Sequence, residues 1–235
     1  QVRHENNSYV VSKGLDANKD QSYVLWGLSQ ASLSKTRFPL GQFHKSEIRQ
    51  MALDMGYDEL VKKSESYEIC FVPDNDYRGF LKRRVGGLQE RVDGGDFMMT
   101  DGTVIGKHKG YPFYTVGQRK GLGIAVGDPL YVVEIKPETN TVILGNENDL
   151  ERNGMWVRGV NMGKYEKLDS PLETITKIRY KDAGTHAVIE QHGDRMKVLF
   201  DAHVKAIAPG QSAVFYEGND VVGGGWIEKS FASQA

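Results

Sequence analysis

The sequence predicts an α+β chain of more than one domain, helical in its first third, mixed in the middle and all strand at its end. Three observations carry this. Residues spaced as one face of a helix occur only before position 90, glycine-rich and β-prone sequence begins at Arg91, and beyond Leu150 roughly six strand-like runs alternate with turn formers. At 235 residues the chain is long enough for more than one domain, and 39% hydrophobic with 26% charged residues reads as a soluble globular protein.

Tyr9-Val10-Val11 follows a polar start and reads as a strand entered in mid-fold; with no initiator methionine, the chain is expected to begin inside a larger gene product. Residues 13–22 form a polar turn with helix N-cap candidates at Asn18 and Asp20, and Tyr23, Leu25 and Trp26 begin an apolar face beyond them. A helix opening there turns free backbone N–H groups outward, so Lys19 and Gln21 could meet a phosphate or a base edge; an ordinary cap with a solvated lysine is the other reading. Ser46 is the expected cap of an amphipathic helix whose Ile48, Met51, Ala52 and Met55 share one face, and Gly56 stops it. Asp76 opens another, with Tyr77, Phe80 and Leu81 facing in and Arg78, Lys82 and Arg83 facing out.

In the middle, 104–106 is a short strand, and 130–135 with 141–144 make a hairpin across Lys136-Pro137-Glu138-Thr139-Asn140. The expected strands of the last third are 156–160, 173–180, 187–191, 196–200, 213–217 and 221–228, with turns at His192-Gly193-Asp194 and Gly218-Asn219-Asp220. Such spacing indicates a small barrel or a sandwich.

A formal net charge of −1 announces no nucleic-acid partner, but local charge differs. Arg78, Lys82, Arg83 and Arg84 fall within seven residues. A second cluster joins Lys107-His108-Lys109 to Arg119-Lys120, with Tyr111, Phe113 and Tyr114 interleaved. A solvated charged face is the plain reading; stacking combined with phosphate contact, as proteins hold unpaired nucleotides, is the functional one. The segment 110–123 lacks the GxxxxGK[ST] pattern and is not read as an ATP site. A single cysteine and six histidines without close ligand spacing lead us to expect no metal. No apolar run is long enough to cross a bilayer and no signal peptide opens the chain, so no membrane partner and a cytoplasmic location are expected.

The one cysteine, Cys70, lies between Ile69 and Phe71. It reads either as a small buried hydrophobe or as a reactive thiol. Turn formers bound the short apolar run, and Arg78 to Arg84 follow closely; nearby cations favour the thiolate, which is the nucleophilic form.

Five stretches together resemble one family. Asn18-Lys19-Asp20-Gln21-Ser22-Tyr23, the Ser-x-x-Ile-Cys-Phe-Val run from Ser66 to Val72, the segment from Tyr114 to Leu122, Ile178-Arg179-Tyr180 and Pro209-Gly210-Gln211 are similar, in order and spacing, to the tRNA-specific 2-thiouridylases, the MnmA/TrmU family. The resemblance implies thiolation of the wobble uridine of tRNA. ATP and Mg²⁺ serve an N-terminal PP-loop in that family, and a cysteine persulfide delivers the sulfur. It implies that Cys70 bears the persulfide, that a cysteine desulfurase or sulfur-relay protein loads it, and that Lys19, Asp20, Gln21, Arg179, Tyr180 and Gln211 contact the tRNA anticodon arm. Arg119 and Lys120 join them as basic-loop candidates.

The family's SGGVDS-type ATP loop and first catalytic cysteine have no counterpart in the sequence, so this chain is expected to bind no ATP and to be catalytically incomplete alone. The resemblance thus implies the helical end of an α/β PP-loop domain (1–85), a small mixed central domain (86–150) and a C-terminal antiparallel β-barrel (151–235). Two alternatives remain: a non-catalytic tRNA- or rRNA-binding module with an inert Cys70, and a one-cysteine thiol enzyme of the peroxidase or sulfurtransferase kind.

Overall fold

The computed structural model describes residues 1–62, 72, 74, 76–124 and 127–232. By contact the chain forms two compact units, Gln1–Lys63 with Arg152–Ala235, and Ser64–Glu151. Cys70 and the motif around it lie outside the described residues.

In the first unit the chain opens as a hairpin, β1 (Val2–Glu5) and β2 (Ser8–Val11). Asn6 and Asn7 make its two-residue turn, both at positive φ, a conformation asparagine tolerates. Three helices follow: α1 (Gln30–Leu33), capped by the Ser29 hydroxyl, α2 (Lys45–Asp54) and α3 (Asp58–Lys62). The helix expected after Asn18 is instead a 3₁₀ turn, Ser22–Leu25, capped by neither Asn18 nor Asp20. Tertiary contacts explain the difference. The Tyr23 hydroxyl donates to the Ser212 carbonyl at 2.7 Å and the Trp26 indole to the Ser212 hydroxyl at 3.1 Å, and Gly27 follows. α2 begins one residue before its expected cap Ser46, with the His44 amide donating to the Glu47 carboxylate at 2.7 Å. Its predicted apolar face is not buried, Met55 being 71% exposed.

The second unit follows in sequence. α4 (Tyr77–Arg84) is capped by Asp76, whose carboxylate accepts from the Gly79 amide at 2.9 Å, and α5 (Leu88–Val92) comes after it. β3 (Gly95–Met99), β4 (Val104–His108), β5 (Tyr131–Lys136) and β6 (Thr141–Gly145) form one sheet in the order β4-β3-β6-β5, with β3 and β6 parallel. The expected hairpin is β5–β6, turned by a 3₁₀ segment at Pro137–Thr139 and by Asn140 at positive φ. Phe97, Phe113, Tyr114, Val132, Val142 and Leu144 fill the core.

The remaining strands return to the first unit: β7 (Glu151–Met162), β8 (Leu172–Lys177), β9 (Thr185–His192), β10 (Arg195–Lys205), β11 (Ser212–Glu217) and β12 (Asp220–Phe231). They close into an antiparallel barrel in the order β10-β7-β12-β11-β8-β9, which decides between barrel and sandwich. Period-two alternation builds its interior, as in β10, where Met196, Val198 and Phe200 are buried between less buried neighbours. β11 departs from it, as does the start of β12: Ala213, Val214, Phe215 and Tyr216 are all fully buried. Ala213 and Phe215 face the barrel core, while Val214 and Tyr216 pack with Val11, Tyr23, Leu33 and Val221 in a second core under the N-terminal segment.

The barrel makes room for that segment at Gly224. A Cβ there would stand 2.7 Å from Trp26 Cγ and 2.7 Å from the Ala213 carbonyl oxygen. Trp26 also meets Trp226 edge to face at 5.3 Å. No helix among the described residues is long and apolar enough to cross a membrane.

Candidate nucleic-acid interface

Tyr23 brings three of the candidate stretches together. Its ring, 7% exposed, lies edge-on to Tyr180 at a centroid distance of 6.3 Å. Its hydroxyl is bound to the carbonyl of Ser212, the residue after Gln211, and its backbone follows Lys19-Asp20-Gln21-Ser22 directly. Burial first, and then Tyr216 and Asp182, raise its hydroxyl pKa well above the ordinary tyrosine value, so it stays a neutral donor. Three segments distant in sequence are thereby held on one face of the barrel.

Around this hub Gln21 and Gln211 are exposed, and Tyr180 is 42% exposed. The Arg179 guanidinium is exposed and donates to the Lys205 carbonyl at 3.2 Å. Lys19 is exposed on the turn closed by its own amide and the Asp16 carbonyl at 3.0 Å.

Asp20 faces inward. Its carboxylate accepts from the Gly14 amide at 3.0 Å, the Ser22 amide at 3.3 Å and the Ser22 hydroxyl at 2.7 Å. The Ser22 oxygen lies 3.0 Å from the Tyr216 hydroxyl. Since Ser22 gives its proton to Asp20, Tyr216 donates to Ser22, and the chain Tyr216–Ser22–Asp20 runs in one direction from the buried strand to the surface turn. The geometry gives Asp20 a positioning task inside its own loop.

A second network ties the N-terminal hairpin to β12. Asp220, 8% exposed, accepts from both Arg3 terminal nitrogens at 2.7 and 2.6 Å, from the Ser12 hydroxyl at 2.8 Å and from Lys164 at 2.8 Å. Lys164 also pairs with Glu217, which accepts from the Tyr165 hydroxyl. Arg3, and then Lys164 and Ser12, hold the Asp220 carboxyl well below the usual carboxylate range against the opposing effect of burial.

In the second unit Arg119 and Lys120 are exposed on a loop that Gln118 organises. Its amide carbonyl accepts from the Thr115 amide at 3.1 Å, its side-chain nitrogen donates to the Lys120 carbonyl at 3.0 Å, and its backbone carbonyl accepts from Val132 of β5 at 2.9 Å. The neighbouring aromatic residues correct the stacking reading. Phe113 and Tyr114 are 2% and 7% exposed, and Tyr114 packs edge-on to Phe97 at 5.2 Å, so they belong to the core.

The Lys107-His108-Lys109 cluster changes only in part, since Lys109 stays exposed. Lys107 pairs with Asp96 at 2.7 Å, and His108 is buried, its Nδ1 accepting from the Gly110 amide at 3.0 Å. Burial lowers the His108 pKa and favours the neutral ring, and because Nδ1 accepts from Gly110 the proton sits on Nε2, toward the Asn140 carbonyl 3.1 Å away. No group of three or more His, Cys, Asp or Glu among the described residues is arranged to hold a metal ion.

Tyr23, Ser22, Ser212 and Tyr216 were not singled out as site residues from the sequence. Only the adjacency of Ser22-Tyr23 to Lys19-Asp20-Gln21 hinted at the first two.

Three family models match the chain in succession: a tRNA methyl transferase HUP domain over residues 1–74, a tRNA methyl transferase PRC-barrel domain over 78–146, and an aminomethyltransferase beta-barrel domain over 152–227. They place the chain in a class of tRNA-modification proteins. Among similar curated proteins, the tRNA-specific 2-thiouridylase MnmA of Cytophaga hutchinsonii is 67% identical over 98% of this chain and 63% of its own length. Those of Amoebophilus asiaticus and Salinibacter ruber are 63% and 50% identical, over 100% and 96% of this chain and 62% and 59% of theirs. The chain belongs to the tRNA-specific 2-thiouridylase family, MnmA/TrmU. It spans about three-fifths of the length of the curated relatives it matches.

Proposed function

We propose that this chain binds the anticodon arm of tRNA through the face assembled around Tyr23, and that it belongs to an enzyme forming 2-thiouridine at the wobble position. The single observation that supports this best is the convergence of Lys19 to Gln21, Arg179-Tyr180 and Gln211 on Tyr23. These residues offer amide groups, a guanidinium and an aromatic edge, the donors and stacking partners used on single-stranded loops. Arg119 and Lys120 add phosphate contacts from the second unit. The relatives' printed names and the family models favour this reading over a general RNA-binding module.

In the proposed chemistry Cys70 receives sulfur from a cysteine desulfurase or a sulfur-relay protein and holds it as a persulfide. The outer sulfur forms the new bond to uracil C2 as the activated oxygen leaves; a second thiol then attacks the Cys70 sulfur, forms a disulfide with it and expels the outer sulfur as the thiocarbonyl of 2-thiouridine. No such second thiol is present in the sequence, and neither is a phosphate-cradling loop of the SGGVDS or GxxxxGK[ST] type. Activation by ATP and Mg²⁺ is therefore assigned to the longer protein. The segments 1–85, 86–150 and 151–235 are proposed as the end of the catalytic domain, the central tRNA-binding domain and the terminal barrel, acting in the cytoplasm.

The test is the affinity of this chain for an unmodified tRNA transcript with uridine at the wobble position, over a salt series and against a tRNA with another wobble base. Tight, salt-sensitive binding supports the reading, and its absence overturns recognition by this chain. In an enzyme of the relatives' full length, Cys70→Ser is expected to abolish thiolation while leaving tRNA affinity unchanged. A thiolating Cys70→Ser enzyme would return the cysteine to an inert role.

A further inference from the structure

The strand β11 residue Tyr216 carries two cations that the tRNA reading does not use. Lys13 Nζ stands 4.6 Å from the centroid of its ring and Lys177 Nζ 5.6 Å. Both lysines are partly exposed, and neither makes an ion pair among the described residues. The Lys13 ammonium donates to the Gly218 carbonyl at 3.4 Å, its one hydrogen bond among the described residues. Two like charges held on one buried ring are an unfavourable arrangement in the free protein. Burial, and after it the charge of Lys177, push the Lys13 ammonium below the ordinary lysine pKa, with Asp20 opposing. A cation–π contact offsets part of that cost but leaves both ammonium groups without an ion-pair partner among the described residues.

The pair sits beside the candidate RNA contacts by covalent and hydrogen-bond connection. Lys13 precedes Gly14, whose amide is bound by Asp20. Lys177 lies two residues before Arg179 and three before Tyr180. Tyr216 supplies the ring for both lysines and the hydroxyl that begins the chain through Ser22 to Asp20.

We propose that Lys13 and Lys177, poised on the Tyr216 ring, are a phosphate-binding pair for the tRNA backbone, placed so that the phosphate is gripped next to the turn that presents Lys19 to Gln21. This rests on the tRNA-binding reading above. An anion beside the two ammonium groups supplies a direct counter-charge, which Asp20, acting on Lys13 without an ion pair, does not. The aromatic ring limits how far either side chain can wander, so the contact is pre-organised.

The experiment uses this chain with the unmodified tRNA transcript and compares wild type, Lys13→Met, Lys177→Met and the double variant. Lys167→Met serves as a control, removing an exposed lysine already paired with Asp169 at 2.8 Å. Each lost phosphate contact should lower the slope of log affinity against log salt by about 0.7 to 0.9. Affinity at 0.1 M salt should then fall about five- to eightfold per lysine, a loss that vanishes toward 1 M. Methionine keeps an unbranched apolar stem over the ring and removes the repulsion, so the melting temperature should hold or rise.

An unchanged slope in both single variants, with wild-type binding intact, overturns the pair. So does a weakened affinity that persists undiminished at 1 M salt, since that marks a structural role for the lysines. Wild type that shows no salt-sensitive binding overturns the tRNA reading itself, and the pair falls with it.

Discussion

Asp220→Asn should detach the N-terminal hairpin from the barrel at its firmest point. The native carboxylate gathers Arg3, Ser12 and Lys164, and it is 8% exposed. Asparagine fills the same space but turns one acceptor oxygen into a donor facing a cation. The Lys164 side chain is only 17% exposed and would keep Glu217 alone. Breaking a buried pair by removing one partner costs about 3–5 kcal/mol, and a hydrogen bond to a charged group contributes about 1.5–3. The Arg3 side chain is 44% exposed, so its share falls to the surface value of about 0–1 kcal/mol. Glu217 retains part of the Lys164 interaction, which brings the expected loss to about 2–4 kcal/mol.

Thermal melting should register this as a drop of about 5–12 °C, and amide exchange should quicken most in β1 and β2. Because the folded Asp220 pKa is depressed, its contribution is fully present above the unfolded value of about 3.9 and is lost as pH falls below it. The gap between wild type and variant should therefore narrow below pH ~4. A loss under about 1 kcal/mol at pH 7, or hairpin exchange no faster than in wild type, would refute the assignment of this network as the hairpin's anchor.

Three further outcomes follow from the same geometry. Tyr216→Phe removes the donor to Ser22; burial has pushed this hydroxyl's pKa up to about 12, and its loss should cost about 1–2 kcal/mol and speed exchange of the Gly14 and Ser22 amides, measured by NMR. Gly224→Ala should displace Trp26, costing about 1–3 kcal/mol and shifting tryptophan emission as the contact with Trp226 opens; unchanged emission and stability would count against close docking there. The folded pKa of His108 is lowered, so the unfolded chain binds its proton more readily and the second unit should gain stability as pH rises toward about 6.5, with the contribution complete above that value and lost on acidification. His108→Gln should flatten that dependence in urea titrations across pH 5 to 8.

Much of the barrel is legible in the sequence, because alternation with period two is a local signal. Met196, Val198 and Phe200 announce their own inward face, and Gly218 and Asn219 announce the turn between β11 and β12. The helix at Lys45–Asp54 is legible from its helical spacing, also a local signal, although its apolar face says nothing of what covers it. The candidate contacts were named by resemblance, residue by residue, and the sequence determined which chemical groups the chain owns: one thiol, two basic runs and a handful of polar loop residues.

Only the tertiary structure decided what those groups do. Asp20 turns inward because Gly14 and Ser22 converge on it, Phe113 and Tyr114 enter the core, and Lys107 is paired by Asp96. Tyr23 becomes a hub through a bond to a residue 189 positions away, and Arg3 meets Asp220 across 217. Sequence pattern records the face a residue prefers within its own element. Pairing and burial depend on which distant face arrives opposite, and closure of the barrel under the N-terminal segment settles that.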